Sequence, residues 1–103
     1  MLERKLRREA LRIFRAALHA SDPVSAVNRR VRVTGSVLVA GNRKYPLDSF
    51  RRIFLTGAGK ASAAMALAME RMLGRRITDG WVNVKYHHLA KVRRVRLHEC
   101  GHP

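Results

Sequence analysis

The first twenty residues carry apolar positions at helical spacing. Apolar residues recur every three or four positions, with most arginines on other sides, so the pattern predicts an amphipathic helix over residues 3–19. The apolar stripe consists of Leu6, Ala10, Ile13, Phe14, Ala17 and Leu18. A basic amphipathic helix can lie on a membrane, but it is more often the surface helix of a globular domain. No stretch approaches the ~20 apolar residues of a membrane span, so we expect no membrane partner.

Residues 21–49 predict a second helix and a small antiparallel sheet. Ser21 or Asp22 can cap the helix, and the proline that follows suits its first position. The hydrophobic period then falls to two around Gly35-Ser36 and Gly41-Asn42, which predicts a β-hairpin or a meander. Residues 48–49 are expected to form a short turn or helical segment before the next strand.

The second half predicts alternating strands and a helix. The wholly apolar stretch 53–55 suits a strand covered on both faces, and 81–86 and 92–98 suit two more strands. A helix from about Lys60 to Leu73 ends at Gly74. Its apolar side is expected to comprise Ala61, Ala64, Met65, Ala68 and Met72.

These elements predict an α/β fold, because a helix between two strands implies a right-handed parallel crossover. The expected architecture is a partial Rossmann-like layered domain with parallel strands, preceded by an N-terminal helical segment and a small β-hairpin. Two or three strands are fewer than an α/β sheet normally has. We therefore expect residues 1–103 to be part of a larger domain.

The net charge of the chain indicates which classes of partner it can bind. Lysine and arginine number 22 against seven acidic residues, giving a net charge of +15, and 17 of the basic residues are arginine. Such a balance favours anionic partners, although an arginine-rich proteome and absent acidic regions of a longer chain would explain it too. The basic residues are scattered rather than gathered in a stripe, so nucleic acid is not the expected partner. A single cysteine, Cys100, fits a reducing cytoplasm.

The turn "TGAGKAS" carries the main candidate chemistry. Backbone N–H groups at a helix start are unpaired and carry the positive end of the helix dipole. Gly57 and Gly59 would let the chain turn sharply and an anion approach closely, while Lys60 adds a positive charge and Ser62 a hydroxyl. The pattern predicts a site for a carboxylate or a phosphate. The alternative is a purely structural turn beside an exposed lysine.

Two nucleotide-binding motifs do not fit this turn. A Walker loop needs glycine at position 54 and Ser or Thr at 61, where the chain has Phe54 and Ala61. The dinucleotide fingerprint is nearly met. However, the next strand ends in the stretch 85–87, Lys-Tyr-His, where an acidic residue should bind the ribose. A dinucleotide site is therefore not expected.

Three stretches together resemble a known family. They are "RIFLTGAGKASAAMALAMERMLG" (52–74), "GWVNVKYHH" (80–88) and "RVRLHECGHP" (94–103). In this order they resemble the N-terminal region of the glycerate 2-kinases, MOFRL-associated proteins often labelled hydroxypyruvate reductases. That family has a strand ending in GAGKA, a VKYGH-like strand end and an EAGHP loop. The resemblance covers essentially all 103 residues.

The resemblance implies ATP-dependent, magnesium-assisted phosphoryl transfer to the 2-hydroxyl of D-glycerate. Lys60 matches the lysine of GAGKA and is the predicted catalytic residue. Its implied role is to hold the substrate carboxylate or to neutralise charge on the transferring phosphoryl group. The predicted substrate- and phosphate-binding residues are Gly57, Ala58, Gly59, Ser62, Lys85 and His102.

Two substitutions depart from the family pattern. His87 stands where the family usually has glycine, and a glycine-specific backbone conformation would resist it. Cys100 replaces the usual alanine. The family also continues through a second domain, from which magnesium ligands and most ATP contacts are expected. The resemblance thus implies that residues 1–103 are inactive alone, with the rest of the enzyme or another copy as a possible partner.

The sequence leaves two other functions to consider, a zinc site and a nucleic-acid-binding module. His98, Cys100 and His102 alternate and could share one face of a strand as zinc ligands, joined by residues 87–88. The glycine and proline among them suggest a loop instead, and we predict no metal site. A small basic nucleic-acid-binding module is the remaining alternative. It lacks RNA-binding or zinc-finger patterns and has few aromatic residues for stacking.

Overall fold

A computed structural model describes residues 1–101. The helices are α1 (Leu2–Ala20), α2 (Pro23–Arg30) and α3 (Ser62–Leu73), and the strands are β1 (Val31–Thr34), β2 (Val37–Ala40), β3 (Arg43–Pro46), β4 (Phe54–Ala58), β5 (Asp79–Lys85) and β6 (Val95–Cys100). Short 3₁₀ turns occupy Leu47–Ser49 and Gly74–Arg76. His102, one of the predicted site residues, lies outside the described range. No helix within residues 1–101 is long and apolar enough to cross a membrane.

Strands β1, β2 and β3 form an antiparallel meander, as predicted. Two-residue turns join them at positions 35–36 and 41–42. Gly35 and Gly41 have φ values of 61° and 59°, so each turn uses the left-handed conformation that glycine adopts without strain. The helix α2 that precedes the meander is capped by Asp22, whose carboxylate accepts the Ser25 N–H at 2.9 Å. That hydrogen bond lowers the pKa of Asp22.

Strands β4, β5 and β6 form a parallel sheet in that order, which confirms the predicted α/β class. Helix α3 makes the crossover from β4 to β5, whereas the connection 86–94 between β5 and β6 contains no helix. The register aligns Thr56, Trp81 and Arg96 in one row and Ala58, Asn83 and His98 in the next. Parallel strands end at a common edge, so the ends of β4 and β5 lie together.

The core forms where α3 packs on one face of this sheet. One cluster contains Ala63 and Ala66 of α3 against Val82, Val84 and Val95 of the strands. A second cluster joins the two sheets and consists of Leu47, Leu73 and Ile77, with Val33 and Leu38 of the meander packed on it. The small alanines allow the helix to approach the sheet closely.

The predicted apolar side of α3 is partly wrong. Met65 is 46% exposed, while the buried positions are Ser62, Ala63, Ala66, Ala68 and Leu73. The helix begins at Ser62 rather than near Lys60. An alanine-rich helix has weak apolar contrast between its sides, so the geometry of the preceding turn decides which side meets the sheet.

The expectation that the strand at 53–55 is covered on both faces is also wrong. The strand is β4, and Phe54 at its start is 60% exposed. Along β5, Gly80, Val82 and Val84 are buried and Trp81 and Asn83 are exposed. We call the α3 side the packed face and the side bearing Phe54, Thr56, Trp81, Asn83, Arg96 and His98 the open face.

The last strand begins later than predicted, at Val95 instead of position 92. Glu70 of α3 is the reason, because its carboxylate accepts backbone N–H groups from Arg93, Arg94 and Val95, the last two at 3.1 and 3.2 Å. Residues 93–94 are thereby held against α3 and do not join the sheet ladder. Burial raises the pKa of Glu70, but the three N–H donors outweigh it, so the pKa is lowered overall.

Helix α1 buries none of its residues, unlike the ordinary surface helix expected. Its predicted apolar stripe, including Ile13 and Phe14, is exposed along its length. A hydrogen bond joins the end of α1 to α2, in which the Arg29 guanidinium donates to the Ala20 carbonyl at 2.7 Å.

Candidate anion site at the carboxyl edge of the parallel sheet

The turn between β4 and α3 is attached to the neighbouring strand through one carbonyl. The Asn83 oxygen accepts the Gly59 N–H at 3.1 Å and the Ser62 hydroxyl at 3.0 Å. The Gly59 carbonyl in turn accepts from the Ser62 N–H and lies 2.5 Å from the Ser62 hydroxyl. These contacts fix the turn before any ligand arrives, which is the preorganisation that an electrostatic site needs.

Ser62 has a structural function in this arrangement. Its side chain is buried, with 8% of the residue exposed, and its hydroxyl is directed at the two carbonyls. A hydroxyl carries one hydrogen, so it is already committed to these acceptors. A contact from Ser62 to an anion stays a prediction.

Free amide groups surround the start of α3. The N–H groups of Lys60, Ala61, Ala63 and Ala64 have no hydrogen-bond acceptor among residues 1–101, and no side chain caps the helix. Such groups carry the positive end of the helix dipole and bind anions. The side chain of Lys60 is exposed beside them and has no carboxylate partner in the described chain. The turn therefore presents one full and several partial positive charges.

The two glycines of the turn differ. Gly59 has φ +119°, a conformation that other residues rarely adopt, whereas Gly57 lies within β4. A Cβ at position 57 would meet Val82 at 3.8 Å and Ser62 at 3.9 Å, which is ordinary contact. The sharp turn thus depends on Gly59 alone. Gly57 and Ala58 are exposed at the strand end, where their backbone is accessible.

The neighbouring strand brings further groups to the same edge. Lys85 is the last residue of β5 and is half-buried, two residues beyond the Asn83 that holds the turn. His87 follows with φ +68° and donates its N–H to Glu99 at 3.0 Å. The backbone at His87 thus adopts the left-handed conformation that favours glycine, the residue that the resemblance leads one to expect at this position.

The donors for a metal ion are absent from this edge of the described chain. Within residues 1–101 no three His, Cys, Asp or Glu residues are grouped for metal binding. His98 and Cys100 do share a face of β6, as alternation along a strand requires. The edge fits an anion and lacks the carboxylate set that Mg²⁺ prefers.

An apolar cleft of about 280 Å³ lies next to the turn. It is lined by residues 56–58 and by residues of α2, β1, α3 and β5, among them Val27, Met65 and Met69. Ligand pockets are usually about 300–1,000 Å³, so the cleft is slightly smaller than that range. An anion on the free amides would border it.

A second charged region, a basic groove, lies at the opposite end of α3 from the candidate anion site. The C-terminal half of α3 and the segment 91–94 line a groove of about 790 Å³. Its basic side chains are Arg71, Arg75, Lys91, Arg93 and Arg94. Glu70 is the one carboxylate that lines the groove, and its oxygens already accept hydrogen bonds from backbone N–H groups.

Comparison with known proteins identifies the family. The family described as "Domain of unknown function (DUF4147)" matches residues 9–103. The chain belongs to this family. It is 28% identical over all of its 103 residues to the glycerate 2-kinase of Pyrococcus horikoshii, and those residues cover 22% of that protein. This confirms the resemblance to the N-terminal region of glycerate 2-kinases.

A solved structure agrees with the fold. The crystal structure of the PH0495 protein from Pyrococcus horikoshii OT3 matches with a TM-score of 0.81 and 28% identity, over 95% of this chain and 22% of that one. The chain thus spans about one fifth of the length of these relatives.

Sequence reasoning missed one residue that holds the turn in place and one close backbone approach within the sheet. Asn83 acts through its backbone carbonyl, for which side-chain patterns give no signal. Gly80 carries a signal, since an isolated glycine inside a strand often marks a close backbone approach. A Cβ there would lie 2.7 Å from the Leu55 carbonyl oxygen.

Proposed function

We propose that this chain supplies the anion-binding edge of a glycerate 2-kinase, an enzyme that phosphorylates the 2-hydroxyl of D-glycerate with ATP. The observation that carries the proposal is the group of free N–H donors beside Lys60, at the carboxyl end of a parallel strand. Ligands of open α/β sheets bind at that edge. The similarity to a glycerate 2-kinase supports the choice of reaction.

In the proposed mechanism the free amides and Lys60 bind a negative group without rearranging. The group is either the carboxylate of glycerate or the phosphoryl group in transfer, and Lys85 adds positive charge at the same edge. Fixed donors stabilise developing charge because they are oriented before the reaction begins. When bound, ATP supplies the phosphoryl group.

The magnesium expected of the family does not fit the described residues. They offer no carboxylate set at this edge, so we derive no step through the metal. We propose instead that its ligands belong to the four fifths of the relatives that this chain does not match. Residues 1–103 alone are then inactive, in the cytoplasmic setting that the single cysteine favours.

The test is a fusion in which residues 1–103 replace the matched segment of the Pyrococcus horikoshii glycerate 2-kinase. We expect ATP-dependent phosphorylation of D-glycerate, and a loss of about 10²–10³-fold in kcat/KM for Lys60→Ala. Lys44→Ala on β3, in the other sheet, is the matched control and should be neutral.

The kinetic parameter that changes distinguishes the two roles of Lys60. A rise in KM for glycerate with kcat unchanged assigns Lys60 to the substrate carboxylate, and a fall in kcat assigns it to the transferring group. A Lys60→Ala fusion as active as its parent would remove Lys60 from the mechanism.

The basic groove of about 790 Å³ favours a second candidate, a nucleic-acid-binding module. Binding through phosphates weakens steeply with salt. Sub-micromolar binding of single-stranded RNA or DNA with a steep salt dependence, lost on Arg93→Ala with Arg94→Ala, would favour that module. Binding that vanishes at physiological salt would exclude it.

A further inference from the structure

The connection after β5 begins with a tight turn whose third residue is histidine. The His88 N–H donates to the Lys85 carbonyl at 3.1 Å, so residues 85–88 form a hydrogen-bonded turn. His87, at the third position, has φ +68°. A positive φ at this position favours glycine, because a Cβ crowds the backbone there. The turn is therefore less favourable by itself than it would be with glycine.

The carboxylate of Glu99 contacts this turn from the neighbouring strand. Glu99 lies on β6 opposite Val84, and its Oε2 accepts the His87 N–H at 3.0 Å. The glutamate is half-buried, and no salt bridge links it to another residue in the described range 1–101. Hydrogen bonds to an ionised acceptor are roughly twice as strong as those between neutral groups. The bond thus fixes the residue of the turn whose conformation is unfavourable.

The turn borders the candidate anion site. Its first residue, Lys85, is the half-buried cation of the carboxyl edge. This edge has two turns, and each is joined to a neighbouring strand. The Asn83 carbonyl holds the turn between β4 and α3 through the Gly59 N–H, and Glu99 holds the turn after β5. Charges that are fixed before a ligand arrives need this kind of support.

We propose that Glu99 is a positioning residue of the carboxyl edge, which fixes Lys85 in place by holding the left-handed turn at His87. The inference rests on the proposed function, since it concerns the lysine that adds positive charge at that edge. Glu99 acts on the backbone and does not need to contact the ligand. A carboxylate at this end of the sheet disfavours an anion by its charge, and the bond to His87 gives it a structural reason to be there.

Amide hydrogen exchange in the free chain tests whether Glu99 holds the turn. Exchange of the His87 and His88 amides is followed by nuclear magnetic resonance. In Glu99→Ala both should exchange several-fold faster, whereas Glu99→Gln keeps an oxygen acceptor and should stay close to wild type. Glu9→Ala on α1 is the control and should change neither rate. Acceleration at His87 alone, or at neither amide, would overturn the proposal because the turn would then be independent of Glu99.

Glycine at position 87 provides a second test on the free chain. Glycine adopts a positive φ without strain, so a turn with His87→Gly should no longer depend on the glutamate. Adding His87→Gly to Glu99→Ala should therefore return the His88 amide towards its wild-type exchange rate. A His88 amide that stays fast in the double variant would show that Glu99 acts on the sheet generally and not on the turn, which contradicts the proposal.

Turnover of the fusion described above connects the turn with the reaction. Glu99→Ala should lower kcat/KM by about tenfold, and by much less in a Lys85→Ala background, because Glu99 acts through Lys85. Additive losses, or an unaffected kcat/KM in an active fusion, would overturn the inference and leave the proposed function standing. An inactive parent fusion would instead reject the proposed function, and the exchange rates of the free chain would then decide whether Glu99 holds the turn.

Discussion

The two faces of the parallel sheet are built from the same strands, but they differ in burial and in the type of side chain that they present. On the packed face, Gly80, Val82 and Val84 of β5 are buried beneath α3. On the open face, Trp81 and Asn83 of the same strand are exposed. The alternation of side chains along a strand assigns adjacent residues to these opposite environments. A one-residue step in β5 thus separates the core from an exposed surface.

This difference shows where stability and function reside in the chain. The packed face contains small apolar residues in contact, and it fixes the turn at Gly59 through the backbone of β5. The open face and the carboxyl edge contain exposed aromatic and charged groups. Substitutions should therefore affect stability strongly on the packed face and weakly on the open face.

The largest expected effect comes from introducing a carboxylate at adjacent positions of β5. Val84→Asp places an unpaired charge in the core and should cost about 3–5 kcal/mol, enough to unfold a marginal domain. Asn83→Asp introduces the same group on the open face and keeps the acceptor for the Trp81 indole. It should change the free energy of unfolding by less than about 0.5 kcal/mol. Urea denaturation measures both, and similar losses would mean that the faces are not distinct.

Two glycines of the packed face sharpen the comparison. A Cβ at Gly80 would lie 2.7 Å from the Leu55 carbonyl and 3.0 Å from Val95, so Gly80→Ala should destabilise by about 1–3 kcal/mol. A Cβ at Gly57 meets nothing closer than 3.8 Å, and Gly57→Ala should cost under about 0.5 kcal/mol. Thermal unfolding distinguishes them. A stable Gly80→Ala variant would contradict the close packing of β4, β5 and β6.

Replacing Glu70, at the margin of the packed face, should have a smaller effect on stability, and that effect should depend on pH. Its lowered pKa means that its stabilisation is present above the ordinary value of 4.5 and is lost as the pH falls through the folded-state pKa. Glu70→Gln should cost about 1–2 kcal/mol at pH 7, and the difference from wild type should shrink below pH 4.5. Denaturation between pH 3 and pH 7 tests this. The control, Glu9→Gln on α1, should show almost no effect.

The sequence predicted the elements whose signals are local. The meander followed from glycine turns, α2 from its Asp22 cap, and the crossover from a helix between apolar strands. Features that depend on distant contacts were missed. The late start of β6 depends on Glu70, 23 residues before Arg93, and the orientation of α3 depends on how Asn83 holds the turn.

The sequence likewise predicted only part of the candidate site. The motif located the turn and Lys60, because free amides and a cation follow from the helix start itself. It did not distinguish Gly59, which needs its left-handed conformation, from Gly57, which does not. The exposure of Phe54 and Trp81 was not foreseen either, since a wholly apolar strand is normally a covered one.

The central claim, that the carboxyl edge binds a small carboxylate or phosphate, is tested most directly by nuclear magnetic resonance on the free chain. D-glycerate is titrated against sodium chloride at matched ionic strength while backbone amide shifts are followed. The account predicts saturable shifts at Lys60, Ala61, Ala63 and Ala64 that are lost in Lys60→Ala. Shifts confined to Arg93 and Arg94, or none that saturate, would contradict it.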